Sequence, residues 1–120
     1  MLGKGLAYEK IALTHLQNSG LRKIETNFHS KFGEIDLIML DQNVLAFVEV
    51  RFRKNSRYGS AAESVTLSKQ KKIIKCAEYY LTKKRYWHLA TRFDVVAISP
   101  KEEPSTDKHH IIWHKSAFVC

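Results

Sequence analysis

Residues 33–52 read GEIDLIMLDQNVLAFVEVRF and contain the pattern that decides the fold. Two apolar runs, at 32–40 and 44–53, have the length and composition of β-strands. Between them, Asp41, Gln42 and Asn43 have the composition of a hairpin turn. We therefore predict two adjacent antiparallel strands that contribute to a hydrophobic core.

Two acids interrupt these apolar runs at positions that face each other. If the turn has two central residues, Asp41 pairs with Val44, and counting back places Asp36 directly opposite Glu49. Side chains alternate along a strand, so one face is expected to carry Glu34, Asp36, Ile38 and Leu40, and the other Ile35, Leu37 and Met39. Opposed carboxylates destabilise a strand pair unless a cation neutralises them. The pattern therefore favours a cation between Asp36 and Glu49.

A third acid, Glu9, lies on the apolar side of the first predicted helix. It precedes Ala12 and Leu16 at helical spacing, on the stripe that should face the sheet. A buried carboxylate without a partner costs several kcal/mol, so it binds a proton, a protein cation or a metal. Arg51 lies about 7 Å beyond Glu49 on the same strand face. A Glu49–Arg51 ion pair is therefore the alternative to a metal.

Carboxylates without converging His or Cys residues favour Mg²⁺ or Mn²⁺, so we assign Glu9, Asp36 and Glu49 as metal ligands. Such an ion polarises a phosphoryl oxygen and activates water, which is the chemistry of phosphodiester hydrolysis. Asp36, Glu49 and Arg51 are then the predicted catalytic group, because Arg51 would stabilise negative charge on the phosphate. Glu34, at a strand entrance, is expected to be solvated and at most accessory.

The rest of the chain predicts further helices and strands around this hairpin. Helices are expected at 5–18 and 68–83, the second with Ser68 as its N-cap. Strands are expected at 21–28, 92–99 and 110–114. At 120 residues, this order predicts one α/β domain over 1–120, a sandwich in which helices flank a mixed central sheet.

Charge and composition favour a polyanionic partner. Twenty Lys and Arg against twelve Asp and Glu give a net charge of +8, so nucleic acid is the expected partner, DNA before RNA. The side chains that would contact phosphates are Arg51, Arg53, Lys54, Arg57, Lys69 and Lys72. Phosphate contacts carry no sequence information, so recognition of shape or of single strands is expected.

Other classes of protein fit the sequence poorly. A hydrophobic share of 44% and a charged share of 27% are globular values, which exclude a disordered chain. We find no apolar run of about 18 residues and no secretory leader, so a cytoplasmic protein without membrane contact is expected. Cys76 and Cys120 form no disulfide framework. A homodimer would suit cleavage of two strands, but nothing in the sequence requires one.

The motifs above also carry a family resemblance. GEIDLI at 33–38 followed by FVEVR at 47–51 resembles the core of the PD-(D/E)XK nuclease superfamily. With AYE at 7–9, AAESVT at 61–66 and RFDVV at 92–96, the chain resembles the YraN family of uncharacterised bacterial proteins over nearly its whole length. That family is similar to archaeal Holliday-junction resolvases. The resemblance therefore implies a restriction-endonuclease-like fold and a Mg²⁺-binding nuclease site.

Carried over residue by residue, the resemblance implies that Glu9, Asp36 and Glu49 bind the metal. It places Arg51 where the motif has lysine, and Gln70, a further predicted nucleic-acid contact, where several nuclease relatives have a glutamine. The motif proline is replaced by Ile35, at a position that varies across the superfamily. The replacement by Arg51 matters more, because arginine grips phosphate but cannot act as a base.

Three functions remain open on these grounds. The first is a metal-dependent endonuclease that acts on structured or single-stranded DNA. The second is a non-catalytic nucleic-acid-binding module that keeps the nuclease-like fold. The third is a partner-binding scaffold whose acids only form ion pairs. Cleavage assays with Mg²⁺ and Mn²⁺ separate the first from the second, and calorimetric metal binding separates both from the third.

Overall fold

The computed structural model describes residues 4–53, 65–100 and 109–119. Its elements, in chain order, are α1 (Lys4–Asn18), β1 (Arg22–Ser30), β2 (Gly33–Asp41), β3 (Val44–Phe52), α2 (Leu67–Lys84), β4 (Ala90–Pro100) and β5 (His109–Phe118). Two of the predicted phosphate contacts, Lys54 and Arg57, lie outside the described residues. No helix within the described ranges is both long and apolar enough to span a membrane.

The five described strands form one sheet in the order β1-β2-β3-β4-β5. Neighbours are antiparallel except β3 and β4, which are parallel. The β2–β3 hairpin pairs Asp41 with Val44, as the two-residue turn predicts. Parallel neighbours need a crossover connection, and α2 lies in the chain between β3 and β4.

Two hydrophobic clusters cover the two faces of the sheet. The first joins α1 to Leu37, Met39, Ala46, Val48, Val96 and Ile98 through Ala12 and Leu16. The second joins α2 to Ile38, Leu45, Phe47, Phe93 and Val95 through Ile73, Cys76, Ala77 and Tyr80. The predicted α/β sandwich with a mixed sheet between helices is therefore confirmed, and it is compatible with a restriction-endonuclease-like fold.

Both helices are bounded by local signals in the sequence. α1 ends where Gly20 adopts φ 100° and the N–H of Leu21 bonds to the carbonyl of Leu16 at 3.1 Å. At the start of α2, the N-cap is Thr66, whose hydroxyl accepts from the N–H of Lys69 at 3.1 Å. The prediction of Ser68 as the N-cap is wrong, because Thr66 has the extended backbone of a cap and Ser68 lies inside the helix.

Strand β2 changes faces at Asp36. Ile35 packs in the cluster of Ile38, on the α2 side, although regular alternation would place it with Leu37 on the α1 side. The prediction that Ile35 shares a face with Leu37 and Met39 is therefore wrong. The physical reason is that regular pairing of β2 with β3 extends from Asp41 only as far as Leu37.

Strand β1 reverses its faces at the matching place. The ring of Phe28 contacts Tyr80 of α2, with 4.9 Å between centroids. Glu25 pairs with Ile38, which lies on the same α2 side as Phe28, although positions 25 and 28 face opposite sides in a regular strand. Between them, Asn27 has φ 52°, a left-handed conformation that Asn tolerates better than most residues. One irregularity therefore spans both strands.

A compensated ion pair lies at the amino end of β4. Asp94 is 1% exposed and accepts hydrogen bonds from Nε and Nη2 of Arg92, at 2.8 and 2.9 Å. The indole N–H of Trp113 and the backbone N–H of Ser116 each donate to Asp94 at 3.0 Å. Arg92 also donates to Asp41 at 3.1 Å. This buried carboxylate is therefore satisfied within the fold.

Candidate functional site

Asp36 lies where β2 and β3 separate. The last paired residues of the hairpin are Leu37 and Val48, so Asp36 and Glu49 are the next positions in the same register. Instead of a backbone pair, the Oδ2 atom of Asp36 accepts a hydrogen bond from the N–H of Val50 at 2.8 Å. The side chain of Asp36 thus replaces the main chain of β2 as the partner of β3, which fixes the orientation of its carboxylate.

Two glutamates from different layers contact this aspartate. Glu9 comes from α1, on the helix face that also carries the buried Ala12, and it is half-buried. Glu49 comes from β3 and is 5% exposed. Asp36 lies near enough to both side chains to raise the pKa of each glutamate, through hydrogen bonding and through its negative charge. The structure therefore brings together the three acids that the sequence singled out.

Burial is the largest cause that raises the pKa of both glutamates. The pKa of Glu9 rises from 4.5 to about 7 and that of Glu49 to about 8. The hydrogen bond to Asp36 and its negative charge raise both values further, because they favour a proton on the glutamate. The metal-free site therefore retains protons near neutral pH.

Two cations oppose this effect at Glu49. The Nζ atom of Lys69, on the first turn of α2, lies 3.7 Å from Oε2 of Glu49. The charges of Lys69 and Arg51 both lower the pKa of Glu49, in that order. Burial and Asp36 outweigh them, so the cations compensate the acids incompletely. The contact of Lys69 with Glu49 was not predicted, because it depends on how α2 packs across the sheet.

The other predicted contacts with nucleic acid have distinct surroundings. Gln70 donates its side-chain amide to the carbonyl of Val65 at 3.0 Å, so it supports the segment before α2. Lys72 is exposed, and its Cβ lies 3.8 Å from the position that a Cβ on Gly33 would occupy. Arg53 donates its backbone N–H to the carbonyl of Ile98 at 2.8 Å. The role of these residues in binding nucleic acid remains a prediction.

Asn27 belongs to the site, although the sequence reasoning missed it. In β1, the pairs Thr26–Leu37 and Phe28–Ile35 leave Asn27 and Asp36 between them. The side-chain amide of Asn27 favours the charged form of Glu9 and so lowers its pKa, against the effects of burial and Asp36. The available signal was an Asn within a strand, where this residue is depleted.

Glu34 stands apart from the three acids. Its side chain is 53% exposed and lies 3.4 Å from Nδ1 of His29, which is also exposed. The charge of Glu34 still raises the pKa of Glu9, as the smallest of the causes acting there. Glu34 thus has the solvated environment expected for it, and an accessory role remains a prediction.

The donor set fits a hard divalent cation. All three donors are carboxylates, the ligand type that Mg²⁺ and Mn²⁺ prefer, and their mutual repulsion is incompletely compensated by protein cations. In the present arrangement, however, the glutamates are linked through Asp36. Within residues 4–53, 65–100 and 109–119, no three acidic, His or Cys side chains have the spacing of a formed metal site. A cation would therefore have to displace protons and draw the carboxylates together.

Comparison with known sequences places the chain in a family. The profile of the uncharacterised protein family UPF0102 matches residues 8–98. A UPF0102 protein of Psychromonas ingrahamii is 50% identical over 98 residues, which cover 82% of this chain and 80% of the relative. UPF0102 proteins of Saccharophagus degradans and Vibrio vulnificus are 46% and 47% identical, and each alignment covers 96% of this chain and over nine-tenths of the relative, 92% and 91%. The chain therefore belongs to family UPF0102, which confirms the resemblance to the YraN family.

Proposed function

We propose that this protein is a Mg²⁺- or Mn²⁺-dependent endonuclease that hydrolyses phosphodiester bonds of structured or single-stranded DNA. The observation that supports this most is that burial and the neighbouring Asp36 raise the pKa of two glutamates from different layers, Glu9 of α1 and Glu49 of β3. Crowding acids in this way is unfavourable, whereas the buried carboxylate of Asp94 is compensated by its hydrogen bonds. A divalent ion would turn the unfavourable cluster into a site for phosphate.

The residues around Asp36 have separate tasks in this proposal. Glu9, Asp36 and Glu49 would hold the ion, which supplies Lewis acidity to the phosphodiester and to the attacking water. The N–H of Val50 fixes the aspartate through its 2.8 Å hydrogen bond, so this ligand is oriented before an ion binds. The alignment of Asp36 therefore does not depend on the cation.

Two cations on the other side of Glu49 would bind the phosphate. Arg51 presents a planar fork of donors that matches two phosphate oxygens, although it cannot exchange a proton at neutral pH. Lys69, at 3.7 Å from Glu49, brings a second charge to the same place. Together they would stabilise the negative charge that develops on phosphorus-bound oxygens during hydrolysis.

The test compares variants of buried and exposed acids. Asp36→Asn and Glu49→Gln should each reduce Mg²⁺- or Mn²⁺-dependent cleavage by at least about 100-fold, because ligands to the ion are lost. Both should retain salt-sensitive DNA binding, which depends on basic residues. Glu34→Gln is the matched control, since it removes an exposed acid from the same strand, and should cleave within about twofold of wild type. Full cleavage by both buried-acid variants would eliminate this site.

A second candidate is a nucleic-acid-binding module without catalysis. It is favoured by Arg51 in the place of the motif lysine, and by Lys69 so close to Glu49 that a protein cation partly occupies the role of a metal. The assay offers the protein branched, single-stranded and duplex DNA with either Mg²⁺ or Mn²⁺. Binding of these substrates without cleavage would favour this candidate. If the protein binds neither DNA nor metal in calorimetry, the partner-binding scaffold is the remaining function.

A further inference from the structure

A pair of stacked aromatic rings joins α1 to β3, the two elements that carry Glu9 and Glu49. The rings of Tyr8 and Phe52 are 4.2 Å apart between centroids and inclined by 10°, and the imidazole of His109 meets Tyr8 edge-on at 6.1 Å. Tyr8 directly precedes Glu9 in α1, and Phe52 ends β3, the strand of Glu49. The pair is thus attached to the same two elements as the two glutamates.

The position of Phe52 relative to the acids follows from strand geometry. Val50, whose N–H holds Asp36, and Phe52 lie on the same face of β3, about 7 Å apart. Arg51 precedes Phe52 and Arg53 follows it, and alternation directs both toward the opposite face. At the end of β3, the arginines that would bind a phosphate therefore lie on one side, and the ring of Phe52, which could stack on a base, lies on the other.

This stack differs from the aromatic contacts in the core. Phe93 stacks on Phe47 and on Phe118, and all three rings are at most 8% exposed. Phe52 is 36% exposed, although Tyr8 covers one of its sides. Burial of apolar surface explains the core stacks, whereas Phe52 keeps surface that a ligand could contact.

Phe52 also lies near the carboxyl ends of two parallel strands, a place where ligands commonly bind. β3 and β4 are parallel, and Phe52 pairs with Ile98 close to the carboxyl end of each strand. In sheets with parallel strands, ligands bind outside the carboxyl ends of those strands. A flat ring that is held by a second ring at this place can stack on any nucleobase without regard to sequence.

We propose that Phe52, supported by Tyr8, stacks on an unpaired nucleobase next to the phosphate bound at the acids, so that the ligand is single-stranded DNA or a strand opened at a junction. This inference rests on the proposed function for the identity of the ligand, but it concerns binding and not cleavage. Stacking of one base on an aromatic side chain changes affinity by about 5- to 100-fold. The protein should therefore distinguish a strand with bases from an equally charged strand without them.

The experiment measures binding of two fluorescent oligonucleotides by anisotropy in the presence of a chelator. One is a single strand of about 20 thymidines, and the other is a chain of the same length made of abasic sugar phosphates. Wild type should bind the first about 5- to 100-fold more tightly than the second. Phe52→Leu should lose most of this preference and keep its affinity for the abasic strand, because the phosphate contacts remain.

Two further variants separate stacking from a structural role. Phe52→Tyr keeps a ring and should keep the preference, whereas Trp87→Leu removes an aromatic side chain that is 62% exposed after the end of α2 and should change nothing. The unchanged affinity of Phe52→Leu for the abasic strand is the control for folding.

The proposal is overturned if wild type binds both strands equally or binds neither, or if Phe52→Leu retains the preference. A base preference that disappears in Phe52→Leu, in a protein that never cleaves DNA, would reject the nuclease and keep the stacking site. Cleavage of DNA without a base preference would support the nuclease and reject the stacking site.

Discussion

Replacing Glu49 by Gln should stabilise the metal-free protein at alkaline pH, although it should abolish cleavage. Glu49 is 5% exposed, and burial together with Asp36 raises its pKa from 4.5 to about 8. A carboxyl group with this pKa holds its proton about 5 kcal/mol more tightly in the folded than in the unfolded chain. That stabilisation is complete below about pH 4.5 and is lost as the pH rises through about 8.

The expected gain in stability for Glu49→Gln is smaller than this value of about 5 kcal/mol. Glu9 contacts the same aspartate and can rearrange when Glu49 is replaced, and Gln still buries a polar amide. We expect Glu49→Gln to be more stable than wild type by about 2 kcal/mol at about pH 9, and to differ by less than about 0.5 kcal/mol at about pH 5. The melting temperature at the higher pH should rise by roughly 5 to 10 °C.

The assay is urea unfolding with a chelator present, followed by far-ultraviolet circular dichroism at both pH values. Glu34→Gln is the matched control, because its carboxylate is exposed, and its stability at the higher pH should stay within about 0.5 kcal/mol of wild type. If Glu49→Gln is less stable than wild type at the higher pH, the three acids do not repel one another in the way that the structure implies.

Three further predictions concern other parts of the molecule. Binding of Mn²⁺ at about pH 6.5 should release one to two protons, because Glu9 and Glu49 must lose theirs. Titration calorimetry in buffers of different ionisation enthalpy counts the released protons. Release of none would contradict the raised pKa values of the two glutamates. Arg92→Met should destabilise the fold by about 3 to 5 kcal/mol in urea, since it leaves Asp94 buried without its cation, and a loss below about 1 kcal/mol would show that Trp113 and Ser116 suffice. Thr66→Ala should cost about 1 kcal/mol and Ser68→Ala less than about 0.5 kcal/mol, because Thr66 caps α2; the opposite order in thermal unfolding would restore Ser68 as the cap.

The sequence predicted the core of the site because that part depends on local geometry. A two-residue turn at Gln42 fixes the register of the hairpin, and the register alone brings Asp36 level with Glu49. Helical spacing likewise placed Glu9 beside Ala12 on the buried side of α1. Both arguments use neighbours within one element or across one turn, where the chain leaves few choices.

The parts that were missed or wrong depend on packing between distant segments. Ile35 lies on the unexpected face because β1 and β2 leave regular geometry at Asn27 and Asp36, beyond the last regular pair of the hairpin. The contact of Lys69 with Glu49 was missed, because it depends on how α2 packs on the sheet. A contact between residues so far apart in the chain is not encoded in any short stretch of sequence.

The change of faces beside Asp36 has a consequence for how the protein would respond to an ion. In a regular sheet, a side chain communicates with the helix on its own side, whereas Asp36 contacts Glu9 from one layer and Glu49, with Lys69 behind it, from the other. An ion held there would restrain both layers at once, so amide hydrogen exchange should slow in α1 and at the start of α2 together. Binding of an ion where β2 and β3 separate would then stabilise the packing of both helices against the sheet.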